Sequence, residues 1–217
     1  MKPEAAKGHR IAFTQFECLI VVAIVALISV IAVSRVSAQA GASTRMACLK
    51  NIRQVGLGFS IWADRNGNRF PWHVPPKRGS LEWANTPETY RHFQIASNEL
   101  DSPNILVCPD DPARAKTESF DKHFSNTNIS YLIGLEANER RPESIVCADR
   151  NLSTNASRIL SGVIEFTDAD SSGWAAGIHT GGGNIGLADG SARYLSQIGI
   201  RKQLAVPGNL PTRFSIP

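Results

Sequence analysis

The hydrophobic pattern changes character twice along the chain. Residues 18–33 are apolar throughout except for Ser29, with no polar face. From residue 42 the apolar positions recur at spacings of three and four, at Ala42, Met46, Leu49, Ile52, Val55 and Phe59. That period predicts an amphipathic helix. No proline falls between Pro3 and Pro71, so both stretches are predicted to form one helix over 14–63, about 75 Å long at the usual rise. Gly41 weakens it locally, and Asn66-Gly67-Asn68 ends it with turn chemistry. Beyond residue 70 the apolar runs become short. Residues 105–108, 129–135 and 158–166 are predicted strands, with an exposed loop over 110–128. A helix is predicted over 88–100, with Thr86 as N-cap and Pro87 at its first position. Residues 184–188 and 191–195 form a predicted hairpin around Asp189-Gly190, read as a two-residue type I′ turn. The fold class is α+β: a long N-terminal helix packed on a small antiparallel sheet.

Charge and length narrow this picture. The 217 residues suit one membrane or targeting segment and one globular domain. The net charge of +4 is mild, and part of it sits at Lys2, Lys7 and Arg10. The remainder shows no basic stripe, so no nucleic-acid partner is expected. A basic head before an apolar run is a signal peptide, an anchor or both. The run 18–33 spans about 24 Å as a helix, short of a bilayer core of about 30 Å; adding residues 13–16 and Val36 lengthens it enough to span. The basic head then stays cytoplasmic. The expectation is a single-pass inner-membrane protein with a periplasmic C-terminal domain. Two cleavage points compete: one after Val36-Ser37-Ala38, the other between Ala12 and Phe13. Glu17 is the odd residue, since a charge in a bilayer costs roughly 2.5–3.5 kcal/mol on insertion scales.

Phe13-Thr14-Gln15-Phe16-Glu17 after Ala12 resembles the class III signal of type IV pilins and type II secretion pseudopilins. Phe, Thr and Glu match in position; Ala12 replaces the usual Gly and Gln15 an apolar residue. The stretch CLKNIRQVGLGFSIWADRNGNRFP is similar to prepilin-like proteins of planctomycete- and verrucomicrobium-type bacteria. His179, Asp189 and Gly190 fit the H-x9-DG pattern of a domain associated with prepilin processing, here over 179–190. The resemblance implies a leader over 1–12, a transmembrane helix over 13–36, its amphipathic continuation over 37–65 and a periplasmic globular domain over 66–217. It implies cleavage between Ala12 and Phe13 by a prepilin peptidase and N-methylation of Phe13. It also implies that Glu17 of an incoming subunit meets the Phe13 amine of its neighbour. The implied protein is a structural subunit rather than an enzyme. Its partners would be the inner membrane, copies of itself, other pseudopilins and an assembly platform, in a secretion pseudopilus or pilus-like filament. The alternative is a membrane-anchored periplasmic binding or sensory domain that does not polymerise.

Other chemistry is thin. The four cysteines make no CxxC pair and no zinc spacing. Cys18 reads as a small buried hydrophobe. Cys108 and Cys147 each follow a short β-like run, and either pair in an oxidising compartment or remain free thiols. His179 and Asp189 with Ser171, Ser172 or Ser191 invite a triad reading, but there is no GxSxG elbow; His179 is expected to bond loop backbone and order the glycine run 181–183. Asp168, Asp170 and Ser172 match the first half of an EF-hand loop, yet its twelfth position is His179 rather than Glu. Asp168, Asp170 and Asp189 remain weak calcium candidates, and no other cofactor is expected. His73, His92 and His123 make no metal spacing, and Trp62, Trp72, Trp83 and Trp174 read as packing residues.

Overall fold

The computed structural model describes residues 15–154 and 157–217, with backbone alone for 30–42 and 158. The leader region, Ala12 and Phe13 lie outside the described residues. The chain divides into two compact units, Met1–Ala42 and Ser43–Pro217. Helix α1 (Gln15–Asp64) starts with the first described residue and ends one residue beyond the predicted C-terminal bound. In the first unit, residues 15–29 are all exposed. Among the described residues no helix is long and apolar enough to cross a membrane. This overturns the expected single-pass inner-membrane placement. The apolar run 18–33 gives about 24 Å of helix against about 30 Å of hydrocarbon, with Glu17 at its mouth.

In the second unit α1 buries Cys48, Ile52, Val55, Phe59, Trp62 and Ala63, the three-and-four spacing of a core-facing stripe. Met46, predicted on that stripe, is exposed; Cys48 takes the inward position because it is tied to Cys108. The predicted helix over 88–100 is two shorter ones, α2 (Tyr90–Ile95) and α3 (Ser97–Leu100). Ala96 leaves the helical region at φ −96°, ψ 17°, and Thr89 rather than Thr86 is the N-cap. The predicted strand 105–108 is a 3₁₀ turn, Pro103–Leu106. Ser102 caps it by accepting from the Asn104 N–H, and Pro103 opens it.

The strands are β1 (Tyr131–Gly134), β2 (Ile145–Asp149), β3 (Leu152–Thr154), β4 (Ser157–Arg158), β5 (Gly162–Phe166), β6 (Ser172–Trp174), β7 (Gly182–Leu187), β8 (Ala192–Ser196) and β9 (Thr212–Ile216), with helix α4 (Gln197–Leu204) before β9. They form an antiparallel six-stranded sheet ordered β5-β9-β1-β2-β7-β8 and a three-stranded sheet ordered β4-β3-β6. The predicted strand 158–166 is thus split between two sheets. The central strands β1, β2 and β7 are buried along their whole length. Antiparallel sheets commonly leave one face wet; here each face meets its own core. One core joins Ile52, Val55 and Phe59 to Tyr131, Ile133 and Cys147. The other joins Leu132, Ile185 and Phe214 to Trp174, Ile200 and Leu204. Gly186 permits the first, because a Cβ there would meet Cys147 Sγ at 2.9 Å and Ile52 Cγ2 at 3.0 Å.

The β7–β8 hairpin forms as predicted, with a different turn. Gly190 N–H donates to Leu187 O and Leu187 N–H to Ser191 O. Only Gly190 of the loop has positive φ, at 78°. That is a three-residue loop, a turn followed by a left-handed glycine, rather than type I′, which needs positive φ at both central residues.

Candidate functional site

Strand register builds the site. In the β2–β7 pair Cys147 lies opposite Gly186 and Ala148 opposite Ile185, so the next step brings Asp149 to Asn184. Period-two alternation then puts Cys147, Asp149, Asn184 and Gly186 on the face that α1 covers. The Asn184 backbone N–H donates to Asp149 Oδ2 at 2.6 Å, and its side-chain amide to the same oxygen at 3.0 Å. His179, in the loop before β7, reaches over this pair. Its Nε2 lies 3.0 Å from Asn184 Nδ2 and 3.4 Å from Asp149 Oδ2. Its Nδ1 lies 2.9 Å from Asp110 Oδ2. Cys108, two residues before Asp110, brings its Sγ within 3.5 Å of His179 Nε2 and is disulfide-bonded to Cys48 of α1. Beside this cluster Asp111 and Arg150 make a buried two-pronged pair at 2.7 and 2.8 Å.

The electrostatics follow from burial. A carboxylate can only accept, so the neutral His179 ring carries its proton on Nδ1 toward Asp110, leaving Nε2 as an acceptor for the Asn184 amide. Burial lowers the His179 pKa, and the attraction of Asp110 only partly opposes this. Burial pushes Asp149 up to about 7, although two bonds from Asn184 work against it. Among the described residues, neither Asp149 Oδ1 nor Asn184 Oδ1 has a hydrogen-bond partner. Burial also drives Cys147 far up, which makes its thiol inert. For Asp111 burial pulls upward, but bonds and charge from Arg150 outweigh it and the carboxyl stays low.

Several expectations from the sequence are corrected here. Cys108 pairs with Cys48 across 60 residues, and Cys147 is a free, buried thiol; α1 delivers a partner that strand spacing could not show. His179 bonds side chains rather than the glycine-run backbone. The H-x9-DG residues do not act together: His179 is buried in the cluster, whereas Asp189 is exposed at the hairpin tip and caps its own turn by accepting from the Ser191 N–H at 2.8 Å. Gly190 supplies the positive φ of that turn. Asp168 is likewise spent locally, accepting from the N–H groups of Asp170 and Ser171, and Asp168 and Asp170 are exposed. Among the described residues, these aspartates are not gathered into a metal-sized group; the one such group is Cys48, Cys108 and His179, with donor atoms all within 4.8 Å of one another. The loop 110–128, expected to be exposed, buries Asp111 and Phe124. Glu17 is exposed within the first unit.

Sequence reading missed Cys48, Asp110, Asp111, Asp149, Arg150 and Asn184. The runs Cys108-Pro109-Asp110-Asp111 and Cys147-Ala148-Asp149-Arg150 held a signal. Each sets a cysteine beside charged residues at the end of an apolar run, in complementary signs. No family model matches this chain, and no curated protein or solved structure matches it either.

Proposed function

We propose that the chain is a pilin-like structural subunit that assembles with copies of itself into a filament and carries no catalytic activity of its own. The N-terminal helix is then the assembly element of a pilin-type arrangement. The observation that carries it is the exposed face of α1. Phe16 is 72% exposed, Leu19 62%, Val22 65% and Leu27 65%. A contiguous apolar surface of this kind marks an interaction site, and burying each such side chain is worth about 1.5–3 kcal/mol. The run 18–33 has no polar face to keep in water, so its natural cover is the same stretch of other copies.

In such a bundle Glu17 is the one carboxylate of the apolar run, and an ammonium at Phe13 after cleavage would attract it strongly in a medium of low dielectric. A prepilin-type peptidase and an assembly platform are the partners this reading requires.

Mass spectrometry of the mature N-terminus tests the reading. N-methylated Phe13 is the expected result. A chain starting at Met1 would favour the non-polymerising binding domain, and one starting at Gln39 would sink the proposal. Glu17→Ala should still be cleaved but fail to enter the filament; normal incorporation would remove the charge-pair idea.

A further inference from the structure

We propose that Cys48, Cys108 and His179 form a zinc site that exists only when the Cys48–Cys108 disulfide is reduced, so that the same three residues hold either a covalent bond or a metal ion. Cys48 and Cys108 are 0% and 1% exposed and His179 5%, and their donor atoms lie within 4.8 Å of one another. Two thiolates and an imidazole are the donors that zinc prefers, and the set leaves a fourth position open. A tetrahedral zinc places sulfur and nitrogen ligands about 3.6 Å apart at the usual bond lengths, and Cys108 Sγ already stands 3.5 Å from His179 Nε2.

The surroundings favour the ion in two further ways. Metal-bound histidines commonly donate their other ring N–H to a carboxylate, which fixes the tautomer and raises ligand basicity. Asp110 holds His179 Nδ1 in that manner at 2.9 Å, so Nε2 is the ring nitrogen that offers a lone pair, now shared with the Asn184 amide. Asp149 Oδ2 is 3.4 Å from the same Nε2, and Asp149 Oδ1 is buried without a partner among the described residues. A buried carboxylate beside the ring attracts a cation held there. Two thiolates also neutralise the ion, so the buried site gains no net charge.

The chemistry balances with an external dithiol as reductant. Its two electrons break the Cys48–Cys108 bond, its two protons pass to the cysteine sulfurs, and it leaves as a disulfide. Zinc then replaces both thiol protons, which go to solvent. The sulfurs part to about 3.7 Å to share one tetrahedral ion, and the Asn184 amide gives up Nε2 while keeping Asp149.

The test uses the full chain with Co2+ as a spectroscopic probe. The reduced chain should develop a thiolate-to-cobalt charge-transfer band that saturates at one equivalent and is erased by Zn2+, and the oxidised chain should show none. Zinc should restore the melting temperature lost on reduction. Asp110→Asn should weaken zinc binding about 10–100-fold, an effect that a purely structural His179 would not produce. Three results would overturn the proposal: no band from the reduced chain, an equal band from the Cys48→Ser/Cys108→Ser variant, whose remaining thiols are Cys18 and Cys147, or zinc affinity unchanged in Asp110→Asn.

Discussion

The apolar stretch of α1 in the first unit and the polar cluster around His179 in the second break the burial rule in opposite directions. Phe16, Leu19, Val22 and Leu27 are large and exposed. Asp111, Asp149, Arg150, His179 and Asn184 are polar or charged and buried. Exposed apolar patches and buried polar groups are the informative exceptions in a folded chain. The difference lies in where the partners are. The buried groups find most of theirs inside the chain, through Arg150 with Asp111 and Asp110 with His179. Among the described residues of its own unit, the apolar stretch has nothing comparable, and residues 15–29 are all exposed.

The largest expected effect is on the buried pair. Arg150→Ala should cost about 3–5 kcal/mol, because it strands the Asp111 carboxylate away from water. Replacing both partners, Arg150→Met with Asp111→Leu, should recover most of that loss; urea unfolding measures both. An equal cost for the double variant would show that more than the orphaned charge is at stake.

Next comes the disulfide. Cys48→Ser should lower stability by about 2–4 kcal/mol, because the bond closes a loop of 60 residues in the unfolded chain. Thermal melts with and without reductant check this, and the variant should be indifferent to reductant.

His92 sharpens the contrast within the buried set, because it lacks a carboxylate of the kind that serves His179. Its Nδ1 meets only the Ser80 hydroxyl, at 2.7 Å, and burial lowers its pKa to about 4. The unfolded chain binds a proton there below about pH 6.5. The contribution is therefore complete above pH 6.5 and is lost as pH falls toward 4. Asp149, raised to about 7, has the opposite slope in the same window. The clean quantity is the stability difference between the parent chain and His92→Gln, in which Asp149 cancels. It should grow by about 2 kcal/mol from pH 5 to pH 7; a difference that does not change with pH would mean His92 is not held neutral.

The smallest effect falls on the exposed side. Leu19→Gln and Leu27→Gln should change unfolding of the chain by less than about 0.5 kcal/mol while sharply reducing self-association in sedimentation. A large loss of stability in the single chain would break the comparison, because it would mean the stretch is already covered within the molecule.

Much of the local architecture was legible in the sequence. The C-terminal end of α1 followed from the Asn-Gly-Asn stop, and the β7–β8 hairpin followed from Asp189-Gly190. The errors arose where a neighbour distant in sequence decided. Residues 105–108 look like a strand, but Ser102-Pro103 capped a 3₁₀ turn instead. Cys147 looks as available as Cys108, but it faces the Ile52 carbonyl, at 3.7 Å from Sγ to oxygen, while Cys48 meets Cys108. His179 and Asp189 look like one motif and serve two separate places.

By itself the sequence determined the apolar run, the amphipathic half of α1, the turn at Gly190 and the α+β class, because these rest on local periodicity and on backbone preferences of single residues. The tertiary structure alone decided the disulfide partner and the His179 cluster. Those contacts join residues up to 131 positions apart in the numbering, from Cys48 to His179. They depend on β2–β7 register and on the helix face that Gly186 admits, and neither leaves a mark in any short stretch of sequence.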